Sequence, residues 1–148
     1  MYFVYNILTI LILLISPIIF MLRILKGKED TKRFKEKFCL YSKKNSLKTI
    51  WFHAASVGEF MSIVPVIKKL EKIKSIKKII LTTSTTSSAK VFINFKFKKT
   101  IHKYFPLDTS FFSNRFIKFW KPQIAIFVDS EIWPNMFKNL KKKKIPII

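Results

Sequence analysis

The apolar and polar positions of this chain fall into two regimes. Residues 1–22 are apolar almost throughout, broken only by Asn6, Thr9 and Ser16, with Pro17 near the end of the run. About 20 residues at 1.5 Å per residue match the hydrocarbon core of a bilayer, so the pattern predicts a membrane anchor helix. A buried core helix is the alternative. No basic stretch precedes the run and no small-residue cleavage site follows it, which argues against a cleaved signal peptide. Spanning the bilayer and lying obliquely in one leaflet both stay open, because Pro17 can kink the helix. Arg23, Lys26, Lys28, Lys32, Arg33, Lys35 and Lys37 follow at once. Such a flank places the rest of the chain on the cytoplasmic side, and it attracts anionic lipid at about 1 kcal/mol per charge near the surface. Residues 23–47 read as a basic, partly helical connector.

From residue 48 onward the pattern alternates. Residues 48–52, 78–83, 101–105 and 123–128 are short β-like runs. Between them the spacing becomes helical. One helix is predicted over 58–72, with Phe60, Ile63, Val64, Ile67 and Leu70 on one face. A second runs from the hydroxyl-rich turn 84–88 to about residue 97, and a third over 109–120 with Thr109 as its N-cap. A fourth, over 132–144, ends in four lysines, which suit the negative end of a helix dipole. Residues 145–148 look like the start of a fifth strand. Strict alternation predicts an α/β fold with a Rossmann-like parallel sheet and right-handed crossovers over 48–148. The chain stops inside that fifth strand, so the pattern reads as the front part of something longer. A strand cut short leaves unpaired backbone groups at a sheet edge.

Composition narrows the partners. The formal charge is +21, and only Arg23, Arg33 and Arg115 among the 29 basic residues are arginine. Specific phosphate and nucleic-acid sites favour the planar fork of arginine. A lysine-dominated excess beside abundant Ile, Phe and Asn fits compositional drift or a solvated surface, and also attraction to an anionic membrane. No recognition motif accompanies the charge, so no specific nucleic-acid partner is expected. Cys39, the single cysteine, cannot form an internal disulfide. No Cys/His cluster has metal-ligand spacing, and neither a metal nor a cofactor is expected.

Two acidic turns carry the candidate chemistry. Ser56-Val57-Gly58-Glu59 follows the first β-like run, and Asp129-Ser130-Glu131-Ile132-Trp133-Pro134-Asn135 follows the fourth. In an open α/β sheet, ligands bind at the carboxyl ends of the strands, so both turns would face one crevice. Gly58 is expected to allow a tight turn and close approach of a ligand to the backbone. By position alone, Glu59 is either a base at that crevice or a glutamate that complements the start of a helix. His53 and the 82–88 turn have bland readings as a satisfied polar group and a solvated helix cap.

These residues resemble the 3-deoxy-D-manno-octulosonic acid (Kdo) transferases of lipopolysaccharide synthesis. The resemblance rests on Trp51-Phe52-His53-Ala54-Ala55-Ser56-Val57-Gly58-Glu59 and on Asp129-Ser130-Glu131-Ile132-Trp133-Pro134-Asn135. Tyr104-Phe105-Pro106-Leu107-Asp108, Arg115-Phe116 with Pro122, the N-terminal anchor and the Lys32-Arg33-Phe34 segment also fit. The family implies a GT-B glycosyltransferase, with two Rossmann-like domains facing across a cleft. Its N-terminal domain is membrane-anchored and holds the lipid A precursor; its C-terminal domain holds the donor, CMP-Kdo. Transfer is inverting and metal-independent, at the cytoplasmic face of the inner membrane. This chain matches only the N-terminal domain. By the same resemblance Glu59 is the proton acceptor, since an acceptor hydroxyl is a poor nucleophile until a base is aligned behind it. Asp129 stands where the family usually has a glutamate credited with stabilising the transition state, one methylene longer. Ser56, Gly58, Glu131 and Asn135 are the candidate acceptor contacts. A structural part is equally open for Glu131, and Asn135 could instead cap a helix. Trp133 and Pro134 suit packing and turn-setting. Thr86-Ser87-Ser88 stands where the family has Pro-Thr-Gly.

Rival readings follow from the missing half. The chain could be an inactive membrane-bound remnant, or the acceptor-binding half of a split enzyme whose donor half is a separate polypeptide. A GT-B transferase acting on another membrane lipid is a further rival.

Overall fold

The alternating runs assemble into a parallel sheet wrapped by helices on both faces. In this computed structural model residues 2–27, 29–41, 45–129 and 132–148 are described. Lys28 and Glu131, both named above, lie outside them. Strands β1 (Thr49–His53), β2 (Ile79–Thr83), β3 (Thr100–Tyr104) and β4 (Pro122–Phe127) form a sheet of order β3-β2-β1-β4 with every pair parallel. The order reverses between β1 and β4, as in doubly wound folds. Residues 146–148 add to the β4 edge: the Ala125 N–H donates to the Pro146 carbonyl at 2.9 Å and the Phe127 N–H to the Ile148 carbonyl at 2.8 Å.

The side-chain period of two explains the two cores. Trp51 points to one face with Ile80, Ala125, Phe116, Trp120, Met136 and Leu140. Its neighbour Phe52 points to the other, with Ile79, Leu81, Phe60, Ile63, Val64 and Ile67. Helices α2 (Val57–Lys72) and α3 (Thr86–Ile93) cover the second face; α4 (Ser110–Trp120) and α5 (Pro134–Lys142) cover the first. α3 stops four residues short of the predicted end at 97, because Lys96 takes a positive φ of 46°. Phe92, Phe95 and Phe97 then turn back to pack together. α5 begins at Pro134 rather than 132, since proline has no N–H to leave orphaned at a first helical position. Glu71, at the end of α2, accepts from the backbone N–H groups of Lys98, Lys99 and Thr100 and from the Thr100 hydroxyl. Burial raises its pKa, but those four donors outweigh it and the carboxyl is held below its usual range.

The connector straps the edge strand β3. It carries one 3-10 turn, Phe34–Phe38. The Glu36 carboxylate accepts from the Tyr104 N–H at 3.1 Å, and the Arg33 guanidinium donates to the His102 carbonyl at 2.9 Å. Side chains thus occupy backbone groups that an exposed edge would offer to another strand. Lys103 and Arg33 complete an ion cluster around Glu36. Glu29 holds Lys37 and Arg23 in the same way. Cys39, at the end of the turn, is buried with its thiol on the Phe112 carbonyl; burial pushes its pKa up to about 12.

The N-terminal helix α1 (Tyr2–Leu25) extends three residues beyond the predicted anchor and keeps Pro17 inside it. Residues Val4–Leu25 are long and apolar enough to cross a membrane.

Candidate functional site

Both acidic turns sit where the strand order reverses. The β1 and β4 strands run side by side, with His53 opposite Phe127, and the Val128 N–H donates to the His53 carbonyl at 2.9 Å. Adjacent strands lie about 4.8 Å apart, so the two turns leave the sheet together.

On the β1 side the chain builds a capping box. Ser56 is the N-cap of α2, and its hydroxyl accepts from the Glu59 N–H at 3.2 Å. The Glu59 carboxylate reaches back and accepts from the Ala55 N–H through Oε2 at 2.7 Å. Its other oxygen, Oε1, has no hydrogen-bond partner among the described residues. Glu59 is half-buried. One oxygen is therefore fixed by the backbone while the other is not. Both belong to a side chain in the first turn of α2. Gly58 corrects the sequence reading. It has no positive φ, and a Cβ there would meet only the Ser56 hydroxyl at 3.9 Å. The turn does not require glycine; its missing side chain leaves open surface beside Glu59.

On the β4 side Asp129 is exposed and takes a positive φ of 68°. Aspartate tolerates this left-handed region better than most residues. The carboxylate stands at the tip of the strand. Glu131 lies outside the described residues. Asn135, expected at the acceptor, is fully buried instead. Its amide nitrogen donates to the Asp108 carbonyl at 2.7 Å, so this contact ties α5 to the β3–α4 loop rather than facing the crevice.

Asp108 is the residue whose role the sequence hid. Its carboxylate accepts from the Asn135 and Met136 N–H groups at 3.1 and 2.8 Å, capping α5 from another element. The Tyr5 hydroxyl donates to it at 2.7 Å. One buried carboxylate thus joins α1, the β3–α4 loop and the helix that follows Asp129. The only signal was its place in the Tyr104–Asp108 motif.

His53 is a core residue. It is 1 % exposed and packs on Phe105, Phe127 and Trp133. Its Nδ1 faces the Thr82 carbonyl, which only accepts, so that nitrogen carries a proton. The hydroxyl-rich turn is a helix cap: Thr85 accepts from the Ser88 N–H at the start of α3. Among the described residues no three His, Cys, Asp or Glu side chains gather as metal ligands.

The family model described as 3-deoxy-D-manno-octulosonic-acid transferase (kdotransferase) matches residues 32–148. The chain belongs to the Kdo transferase family. It is 35% identical over 140 residues to a 3-deoxy-D-manno-octulosonic acid transferase of Rickettsia bellii, covering 94% of this chain and 34% of that protein. It is 36% identical over 151 residues to an Arabidopsis thaliana protein named "Probable 3-deoxy-D-manno-octulosonic acid transferase, mitochondrial", covering 98% of this chain and 33% of that one. A Haemophilus influenzae relative of the same name as the first is 37% identical over 100 residues, covering 67% of this chain and 23% of that protein. The chain spans about one third of the length of the first two Kdo transferases. Both acidic turns and Asp108 fall within the matched segment.

Proposed function

We propose that this chain is the acceptor-binding, membrane-anchored half of a GT-B glycosyltransferase of lipopolysaccharide synthesis. Together with a donor-binding domain, it moves Kdo from CMP-Kdo to a glucosamine hydroxyl of the lipid A precursor. The transfer is inverting and metal-independent, at the cytoplasmic face of the inner membrane. Glu59 takes the proton from the attacking hydroxyl, Asp129 stabilises charge as the donor bond breaks, and Ser56 and Gly58 shape the acceptor surface.

One observation carries this reading: the Glu59 and Asp129 turns leave adjacent parallel strands at the point where the order reverses. A base must be held still to be aligned behind its hydroxyl. The Ala55 N–H does this for one carboxylate oxygen and leaves the other for the proton. Asp129, with a side chain one methylene shorter, stands two residues past the end of β4 on backbone of positive φ.

The test is Glu59→Gln in the chain completed by its donor domain. Glutamine keeps an oxygen for the Ala55 N–H, so the cap and the fold survive, but it cannot accept the proton. Turnover should fall by at least 100-fold, at the low end for loss of a general base, while CMP-Kdo binding stays unchanged. Turnover near wild type would overturn the assignment.

A further inference from the structure

We infer that α1 lies in the plane of the membrane, its aliphatic side sunk into one leaflet and the α/β body strapped along its other side. This deepens the membrane part of the proposal above and is independent of its sugar chemistry.

The argument starts from which positions of α1 are shielded. Among the described side chains they are Tyr5, Asn6, Thr9, Leu13, Ser16, Phe20 and Arg23, and every other position from Val4 to Leu25 is exposed. At 100° per residue those seven fall within an arc of about 100°, and at 1.5 Å per residue the stripe is about 27 Å long. Named contacts fix it along that length. The Tyr5 hydroxyl is on Asp108. Ser16 is 5 % exposed at the middle. The Phe20 ring is on Phe38 and Arg23 is on Glu29. The helix is docked lengthwise.

Its amphipathy is inverted. The stripe that meets protein holds the polar residues Tyr5, Asn6, Thr9, Ser16 and Arg23. The opposite side is Ile7, Leu11, Leu14, Ile18 and Leu25, with Leu14 72% and Leu25 75% exposed. A helix that buries its polar side in protein and turns its aliphatic side outward needs an apolar medium there. Upright in a bilayer, it would drag the strapped body through nearly the whole hydrocarbon core, about 30 Å thick, with the Asp108 carboxylate carried to its far end by Tyr5. Lying flat, it leaves the body at the surface.

The body contributes to the same surface. Phe111 is 64% and Ile132 is 75% exposed. Each is close in sequence to a residue lining the seam against α1, Thr109 and Trp133. Arg115 and Lys118 follow Phe111 on the exposed side of α4, and Lys26, Lys32 and Lys35 are exposed just after α1. Aromatic and cationic side chains beside an aliphatic helix match the headgroup zone of an anionic bilayer. The Asp129 turn, three residues before Ile132, then sits at headgroup height.

Nitroxide labels on single cysteines at Ile7, Leu11, Leu14, Ile18 and Leu25, in a Cys39→Ser background, test this in vesicles of phosphatidylglycerol and phosphatidylethanolamine. All five positions are exposed, so the fold tolerates the labels. Relative accessibility to oxygen and to a water-soluble nickel chelate reads depth. An in-plane helix gives one common depth, about 5–10 Å below the headgroups. A spanning helix gives a depth that rises to a maximum of about 15 Å near Leu14 and falls at both ends, which overturns the inference. Labels open to the nickel chelate throughout, or shielded from both reagents as a second copy of the chain would shield them, also overturn it.

Discussion

A single carboxylate shows how much one side chain holds here. Asp108 satisfies two N–H groups at the start of α5 and the hydroxyl of Tyr5 while almost fully buried. Asp108→Ala strands those donors, so it should cost about 2–4 kcal/mol in urea unfolding, the sum of a lost cap and unmade charged hydrogen bonds. A second residue sets an acid limit. Burial, then the positive charges of Arg33 and Lys103, push the His102 pKa down to about 3 from 6.5. The ring is neutral: Nδ1 accepts from Arg33 and Nε2–H donates to Thr83. Between those two values the unfolded chain binds a proton that the folded chain refuses. Stability is therefore fully present above about pH 6.5 and is lost as pH falls toward 3, by at most about 1.4 kcal/mol per pH unit. In unfolding measurements from pH 7 to 5, His102→Gln should lose this slope relative to wild type. A slope equal to wild type would place the acid sensitivity elsewhere.

Among the elements, those governed by nearest neighbours were legible and those governed by distant partners were not. Alternation placed all four strands within a residue or two, because Trp51 and Phe52 must each reach a different core. The Thr109 cap was readable from its own spacing. The end of α3 was not, since Lys96 breaks it by a backbone conformation that lysine does not announce. The capping of α5 was hidden for another reason: its donor of oxygens lies 27 and 28 residues away. The same split runs through the candidate site. The Ser56–Glu59 segment is local and stood out as an acidic motif, although its capping box did not, whereas Asn135 is buried against Asp108 from another element. Gly58 separates shape from folding. Gly58→Ala sits in a helical first turn with space for the methyl, so it should raise stability by about 0.5–1 kcal/mol. In the completed enzyme it should raise KM for the acceptor and spare CMP-Kdo binding. An unchanged acceptor KM would remove Gly58 from the acceptor surface.

The whole molecule is a sheet with two acidic turns at one end and one aliphatic flank. Phe111→Ser with Ile132→Ser should leave far-UV circular dichroism unchanged, because both side chains are exposed. The double variant should bind anionic vesicles roughly tenfold or more weakly, as expected for losing one or two partly inserted side chains. Raising salt should weaken wild type and variant alike through the lysines. Sedimentation with vesicles checks both. The strap over β3 has a consequence for biosynthesis. Arg33 and Glu36 wait for His102 and Tyr104, 69 and 68 residues downstream. On the ribosome, α1 therefore emerges long before the body it will lie against exists. With α1 placed in the membrane as proposed, its aliphatic side meets lipid first, and the nascent domain then folds already moored, closing its last edge at the membrane rather than in free solution.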